Sequence, residues 1–302
     1  MDTSGRSDGW IYEVMYWGLA IILFLSPYFK GLYFEEEQEV FLILAAVLFV
    51  VVWMWKWIKR ERDFLTGPLD YFALALPVIY FVASFQAANY CLAVNEFLKS
   101  LLCFMVYWLV SRFPGDEADV SKILRVIYLS AVGVAIAGLA SATGLVQIKD
   151  GFYEGRLQST LQYANALAGF TAGVFWVGVY FWFEEAVISS DMAVEPDSDG
   201  LSPAPVGKLL PRLLYAAGNY LLLLALMGSK SQGGLIIFFV AFLILAVIIP
   251  NTYRVYAVIY YMCLSVWSFF TATRFLVAVG EKNMPGAWLW ILLGLAVVLA
   301  AD

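Results

Sequence analysis

The 302-residue sequence contains no histidine, three cysteines and only 14% charged residues, and each shortage closes off a class of chemistry. Without imidazole the chain lacks both the usual general base near neutral pH and the commonest metal ligand. Cys91, Cys103 and Cys263 are an odd set without ligand spacing. They support neither a disulfide framework nor a zinc site and read as fillers of an apolar core. No metal and no organic cofactor is expected. A net charge of −6 argues against a nucleic-acid partner.

What fills the sequence instead is apolar: 63% of residues are hydrophobic, far above the usage of water-soluble domains. The expected solvent is lipid. Apolar windows with polar breaks predict ten spans, at 10–28, 40–57, 70–88, 95–111, 124–144, 161–183, 212–228, 233–250, 255–272 and 286–301. The first has no small-residue cleavage site, so it reads as a retained span rather than a signal peptide. The expectation is an all-α, polytopic transmembrane helix bundle, with residues 1–302 forming a single integral membrane domain.

Orientation follows from the basic residues, which short cytoplasmic loops retain. The strongest cluster is Lys56, Lys59, Arg60 and Arg62 after the second span, with Trp53, Trp55 and Trp57 beside it as an interfacial aromatic belt. Placing that cluster inside puts the N-terminus in the cytoplasm and eleven of the 18 Lys and Arg residues on the inner side. Residues 184–211 then form a flexible cytoplasmic loop rich in carboxylates, Pro, Gly and Ser, and Pro211 with Arg212 opens the seventh span. Glu13 and Asp70 read as interfacial, and Glu96 with Lys99 as an i,i+3 ion pair.

Two polar clusters fall on the outer side. GRLQSTLQYANALAGF, residues 155–170, places Arg156 in a loop and Gln158, Ser159, Thr160, Gln162, Tyr163 and Asn165 in the first turns of the sixth span. In hydrocarbon such groups must face protein or water. Ser159 or Thr160 could cap that helix, and a helix N-terminus beside an arginine suits a phosphate-bearing ligand. GSKSQGG, residues 228–234, supplies Lys230, Ser231 and Gln232 between the seventh and eighth spans. Each cluster also has a plain reading as an ordinary turn with a snorkelling basic residue.

At these clusters the sequence resembles the O-antigen ligase and O-antigen polymerase-like family of bacterial envelope proteins. The family pattern R-x-x-(S/T)-x-x-x-x-x-N-x-(L/F)-A reads here as Arg156, Ser159, Asn165, Leu167 and Ala168. Its later S-R-G-(A/G) turn reads as Ser231, Gln232, Gly233 and Gly234, with Gln232 where the family has arginine and Lys230 as the nearby cation. The resemblance implies a glycosyltransferase-type ligase or polymerase of polysaccharide biosynthesis, multi-pass in the bacterial cytoplasmic membrane. It would transfer a polyprenyl-diphosphate-linked glycan to an acceptor at the outer face, among membrane lipids.

Under that resemblance Arg156 and Lys230 are the catalytic cations, and Gln158, Ser159, Gln162, Tyr163, Asn165, Ser231 and Gln232 bind substrate. Glu154 and Asp150 are the carboxylates in the right loop. The resemblance further implies the front portion of such a protein, because the family's large outer loop and its histidine follow the point reached here; a partner chain would then supply them. The competing expectations are a transporter or flippase of lipid-linked saccharide, and a non-catalytic membrane scaffold.

Overall fold

The computed structural model describes residues 4–61, 63–112, 117–191, 206–248 and 251–301. Helix is the dominant element, with ten α-helices among the described residues. Among the described residues eight helices are long and apolar enough to cross a bilayer, while α3 (Pro68–Ser84) and α8 (Gln232–Ile248) are shorter. Their outward faces carry side chains such as Phe72, Val247 and Leu289, which are 73%, 73% and 64% exposed. Water would not tolerate so continuous an apolar surface, so the protein is a multi-pass membrane protein whose outer solvent is lipid.

The chain divides into two compact units, Met1–Val126 and Ile127–Asp302. The first holds α1 (Ser4–Leu25), α2 (Glu35–Ile58), α3, α4 (Tyr90–Arg112) and the beginning of α5 (Glu117–Ala142). Two short 3-10 turns, the first containing Pro27, follow α1. Helix α2 opens with Glu35, Glu36 and Glu37 and closes with Lys56, which complements its macrodipole at both ends. It buries one stripe, Gln38, Phe41, Ala45, Leu48, Val52 and Lys56, at the spacing of a single helix face.

Helix α3 starts at Pro68, where a missing N–H is harmless, and Asp70 accepts the backbone N–H groups of Thr66 and Gly67. Pro77 lies inside α3 without ending it. Asp70, read from the sequence as interfacial, has partners within the fold. It is buried, ion-paired with Arg112 and accepts the Tyr107 hydroxyl at 2.7 Å. The fragment joining α2 to α3 gains further anchors when Arg112 Nε donates to Asp63 O at 2.6 Å and Trp108 Nε1 to Phe64 O at 2.9 Å. Glu13 is exposed, accepting from Trp17, and Glu96 and Lys99 form the expected pair at 2.8 Å.

The second unit holds the rest of α5, a two-stranded hairpin, and then α6 (Ala164–Asp191), α7 (Val206–Gly228), α8, α9 (Asn251–Gly280) and α10 (Met284–Ala301). Helix α7 is its centre: Tyr220, Leu222, Leu223, Leu224 and Leu226 are fully buried, so successive residues of its C-terminal half are enclosed by protein. Close approach to α6 depends on Gly178, where a Cβ would collide with Asn219 and Tyr128. Tyr220 reaches Thr271 Oγ1 at 3.2 Å, and Trp267 Nε1 reaches Gly294 O at 3.2 Å, joining α7, α9 and α10 through hydroxyl, indole and carbonyl groups.

Several sequence expectations shift. Helix α6 continues to Asp191 and α7 begins at Val206, so both ends of the expected loop at 184–211 are helical, and 192–205 lie outside the described residues. Pro211 sits inside α7 rather than opening it. Arg62 of the basic cluster also lies outside the described residues. The three cysteines are free and exposed on helix surfaces, not core fillers, because the core positions of α4 and α9 are taken by residues such as Trp108 and Tyr261.

Candidate functional site

The two polar clusters meet in the second unit. Between α5 and α6 the chain forms an antiparallel hairpin, β1 (Phe152–Tyr153) and β2 (Arg156–Leu157), with Tyr153 opposite Arg156. Its two turn residues, Glu154 and Gly155, have φ of 49° and 72°. This is the left-handed pair that twists a two-residue hairpin correctly, and glycine supplies one member without steric cost. The hairpin seats on the end of α7 through Leu157, which is fully buried against Gly228; a Cβ on Gly228 would clash with it.

That seating fixes the arginine. Arg156 Nε donates to the Ser229 carbonyl at 2.9 Å, so a cation caps the negative end of α7. Its Nη2 donates to Asn165 Oδ1 at 3.3 Å, and Asn165 Nδ2 donates to the Tyr163 hydroxyl at 2.9 Å. The remaining nitrogen, Nη1, makes no hydrogen bond among the described residues. Lys230 is exposed in the adjoining turn at φ 51°, with no hydrogen bond or ion pair to its ammonium among the described residues. Its Nζ lies 3.6 Å from where a Cβ would stand on Gly155. The hairpin and the α7–α8 turn therefore bring Arg156 and Lys230 to one rim.

Helix starts surround that rim. Helix α6 begins at Ala164 with Tyr163 accepting the first helical bond, from Leu167 N–H at 3.0 Å. Helix α8 begins at Gln232, and its first turn packs on α6 so closely that a Cβ on Gly234 would meet Ala168. The opening N–H groups of both helices have no carbonyl partner within their own helix, and both positive dipole ends belong to one cluster. Two helix N-termini, a guanidinium and an ammonium form a cationic, donor-rich rim suited to an anion with several oxygens.

The expected residues separate into two groups. Tyr163, Asn165 and Gln232 are exposed and Gln158 and Gln162 half-buried, and of these Asn165 and Tyr163 are joined to Arg156 through hydrogen bonds. Ser159 and Ser231 are buried and their hydroxyls are engaged elsewhere. Ser159 does not cap α6: it occupies a 3-10 turn at Ser159–Leu161 and donates to Val134 O on α5 at 2.6 Å. Thr160 lies in the same turn. Ser231 is the N-cap of α8, accepting the Gly234 N–H at 3.2 Å, and the Ser229 hydroxyl accepts the Ser231 N–H at 3.2 Å. Gln158, Ser159, Thr160, Gln162 and Tyr163 thus precede α6 instead of forming its first turns.

Sequence reasoning missed the hairpin itself, and with it Gly155, Leu157 and the Ser229 carbonyl as the parts that aim Arg156. The signal was a Glu-Gly pair between Phe152-Tyr153 and Arg156-Leu157. Glu154 and Asp150 are both exposed near the rim. Among the described residues no three His, Cys, Asp or Glu side chains cluster as metal ligands. Compared with protein-family models, curated proteins and solved structures, the chain matches none of them.

Proposed function

We propose that the second unit binds the diphosphate of a lipid-linked saccharide and serves its transfer to an acceptor, as an O-antigen ligase- or polymerase-like protein of the bacterial cytoplasmic membrane. One observation carries the reading. Arg156 is held by the Ser229 carbonyl and Asn165 with a nitrogen left over, next to the unpaired Lys230 and the starts of α6 and α8. In a membrane protein, positive groups at the end of the spans match a lipid whose charge is its diphosphate. In glycan transfer an acceptor hydroxyl attacks the anomeric carbon and polyprenyl diphosphate departs, so negative charge grows where the rim supplies donors. The resemblance of Arg156, Ser159, Asn165, Leu167 and Ala168 to the family pattern supports the same assignment. The outer face is assigned by the positive-inside argument.

The test uses the full chain in detergent. Polyprenyl diphosphate should bind more tightly than polyprenyl monophosphate, and Arg156→Ala should lower diphosphate affinity by about tenfold or more. In cells lacking the protein, the lipid-linked glycan should accumulate, with rescue by wild type and not by Arg156→Ala. Equal affinity for both lipids, or rescue by the variant, overturns the reading.

A further inference from the structure

A second binding feature lies in the first unit and does not rest on the rim described above. A cavity of about 980 Å³ opens beside the C-terminal turn of α2. Trp108, which is buried, and Phe64 form one wall, while Trp53, Trp57 and Ile58 line it from α2. Trp57 and Ile58 are 66% and 79% exposed, an apolar lip suited to hydrocarbon.

Charge enters this cavity in a defined order. Lys56 Nζ sits between Glu61 Oε2 at 2.9 Å and Asp63 Oδ2 at 2.7 Å, so one ammonium is shared by two carboxylates. The second oxygen of each carboxylate has no hydrogen-bond partner among the described residues, and both side chains remain partly exposed, at 43% and 35%. Arg60 follows the end of α2 in the left-handed region, φ 61°. It is fixed there because its N–H reaches Trp57 O at 2.9 Å and the Glu61 N–H reaches Lys56 O at 3.0 Å. The guanidinium of Arg60 is exposed and has no partner among the described residues. Among the described lining residues, Glu61 and Asp63 share one ammonium, which leaves one negative charge between them, and Arg60 holds a separate positive charge.

An occupant that satisfies both needs an anion, a cation with N–H donors and an apolar body. We propose that this cavity seats the headgroup of a bilayer glycerophospholipid bearing a phosphate and a primary ammonium. Arg60 takes the phosphate, Glu61 and Asp63 take the ammonium, and the acyl chains leave along Trp57 and Ile58. A quaternary ammonium has no N–H to give the two carboxylates, and an anionic headgroup would leave their excess charge unanswered. The volume lies at the upper end of the range for small-molecule sites, with room for the headgroup and glycerol.

The test is native mass spectrometry of the full chain with phosphatidylethanolamine, phosphatidylcholine and phosphatidylglycerol of matched acyl chains. One phosphatidylethanolamine should be retained at least about tenfold better than either competitor. Arg60→Ala should weaken that retention by about tenfold, and Glu61→Gln with Asp63→Asn should abolish the preference for the primary ammonium. Because the double variant also strips Lys56 of its partners, the wild type provides a separate reading. Phosphatidylethanolamine carrying a diazirine next to the glycerol should cross-link within residues 53–65. Equal retention of the three lipids, undiminished retention by Arg60→Ala, or cross-links confined to other segments overturns the proposal.

Discussion

Arg156 shows how one side chain can be both structural and available: Nε caps α7 through the Ser229 carbonyl, while Nη1 stays open. Lysine in its place keeps a charge but has neither the fork nor the fixed plane. Arg156→Lys should therefore lose most of the diphosphate affinity despite its unchanged charge, which titration of polyprenyl diphosphate checks. Ser231 has the opposite character. Its hydroxyl caps α8 from a buried position, so Ser231→Ala should lower stability by about 1 kcal/mol and leave diphosphate affinity of the folded protein unchanged. A thermal melt in detergent beside the same titration separates the two effects. The sequence identified both residues but could not tell their roles apart, because the partner of a serine is set by which helix lies over it. Nor could composition show that Ser159 and Gln162 adopt φ of 54° and 53°, the bends that keep the Gln158–Tyr163 segment out of α6.

Helices were the legible elements, since hydropathy over about 20 residues reports lipid exposure directly. Each of the ten expected spans coincides with a helix, of which eight among the described residues are long and apolar enough to cross a bilayer, and several ends differ: α6 begins at Ala164 and not 161, and α7 begins upstream of Pro211. Hydropathy fails there because helices run past the apolar zone into polar sequence. The clamp between α3 and α4 was illegible for another reason. Asp70 and Arg112 are 42 residues apart, and only the packing of α4 beside α3 makes them a buried pair. Breaking one side of such a pair strands the other, so Asp70→Asn should lower the unfolding midpoint more than Lys99→Ala, which removes an exposed pair. Leu157 is the buried apolar contact that seats the hairpin on α7, and Leu157→Ala should cost about 2–5 kcal/mol locally and release Arg156 from Ser229. Faster protease cleavage at 150–160, with weaker diphosphate binding, is the expected outcome.

For the molecule as a whole, lipid decides what faces outward. Phe72, Val247 and Leu289 lie exposed along the helices, and basic residues collect near helix ends. Within the second unit Leu157 against Gly228 and Arg156 on Ser229 bring the α5–α6 and α7–α8 turns to one end, and alternation of successive helices puts the α9–α10 turn at the same end. This end carries Lys149, Arg156, Lys230 and Lys282, against the tendency of basic residues to stay inside if that end is the outer one. Under the proposed function, Arg156 and Lys230 are kept at that end because they hold the diphosphate there. The argument therefore stands or falls on sidedness. In a chain with Cys91, Cys103 and Cys263 replaced by serine, single cysteines at Gln147, Gln232 and Lys282 should react with a membrane-impermeant maleimide in intact cells. A cysteine at Arg254 should react only after permeabilisation. Reaction of the Arg254 position alone in intact cells would invert the topology, place the rim in the cytoplasm, and remove the outer-face transfer from consideration.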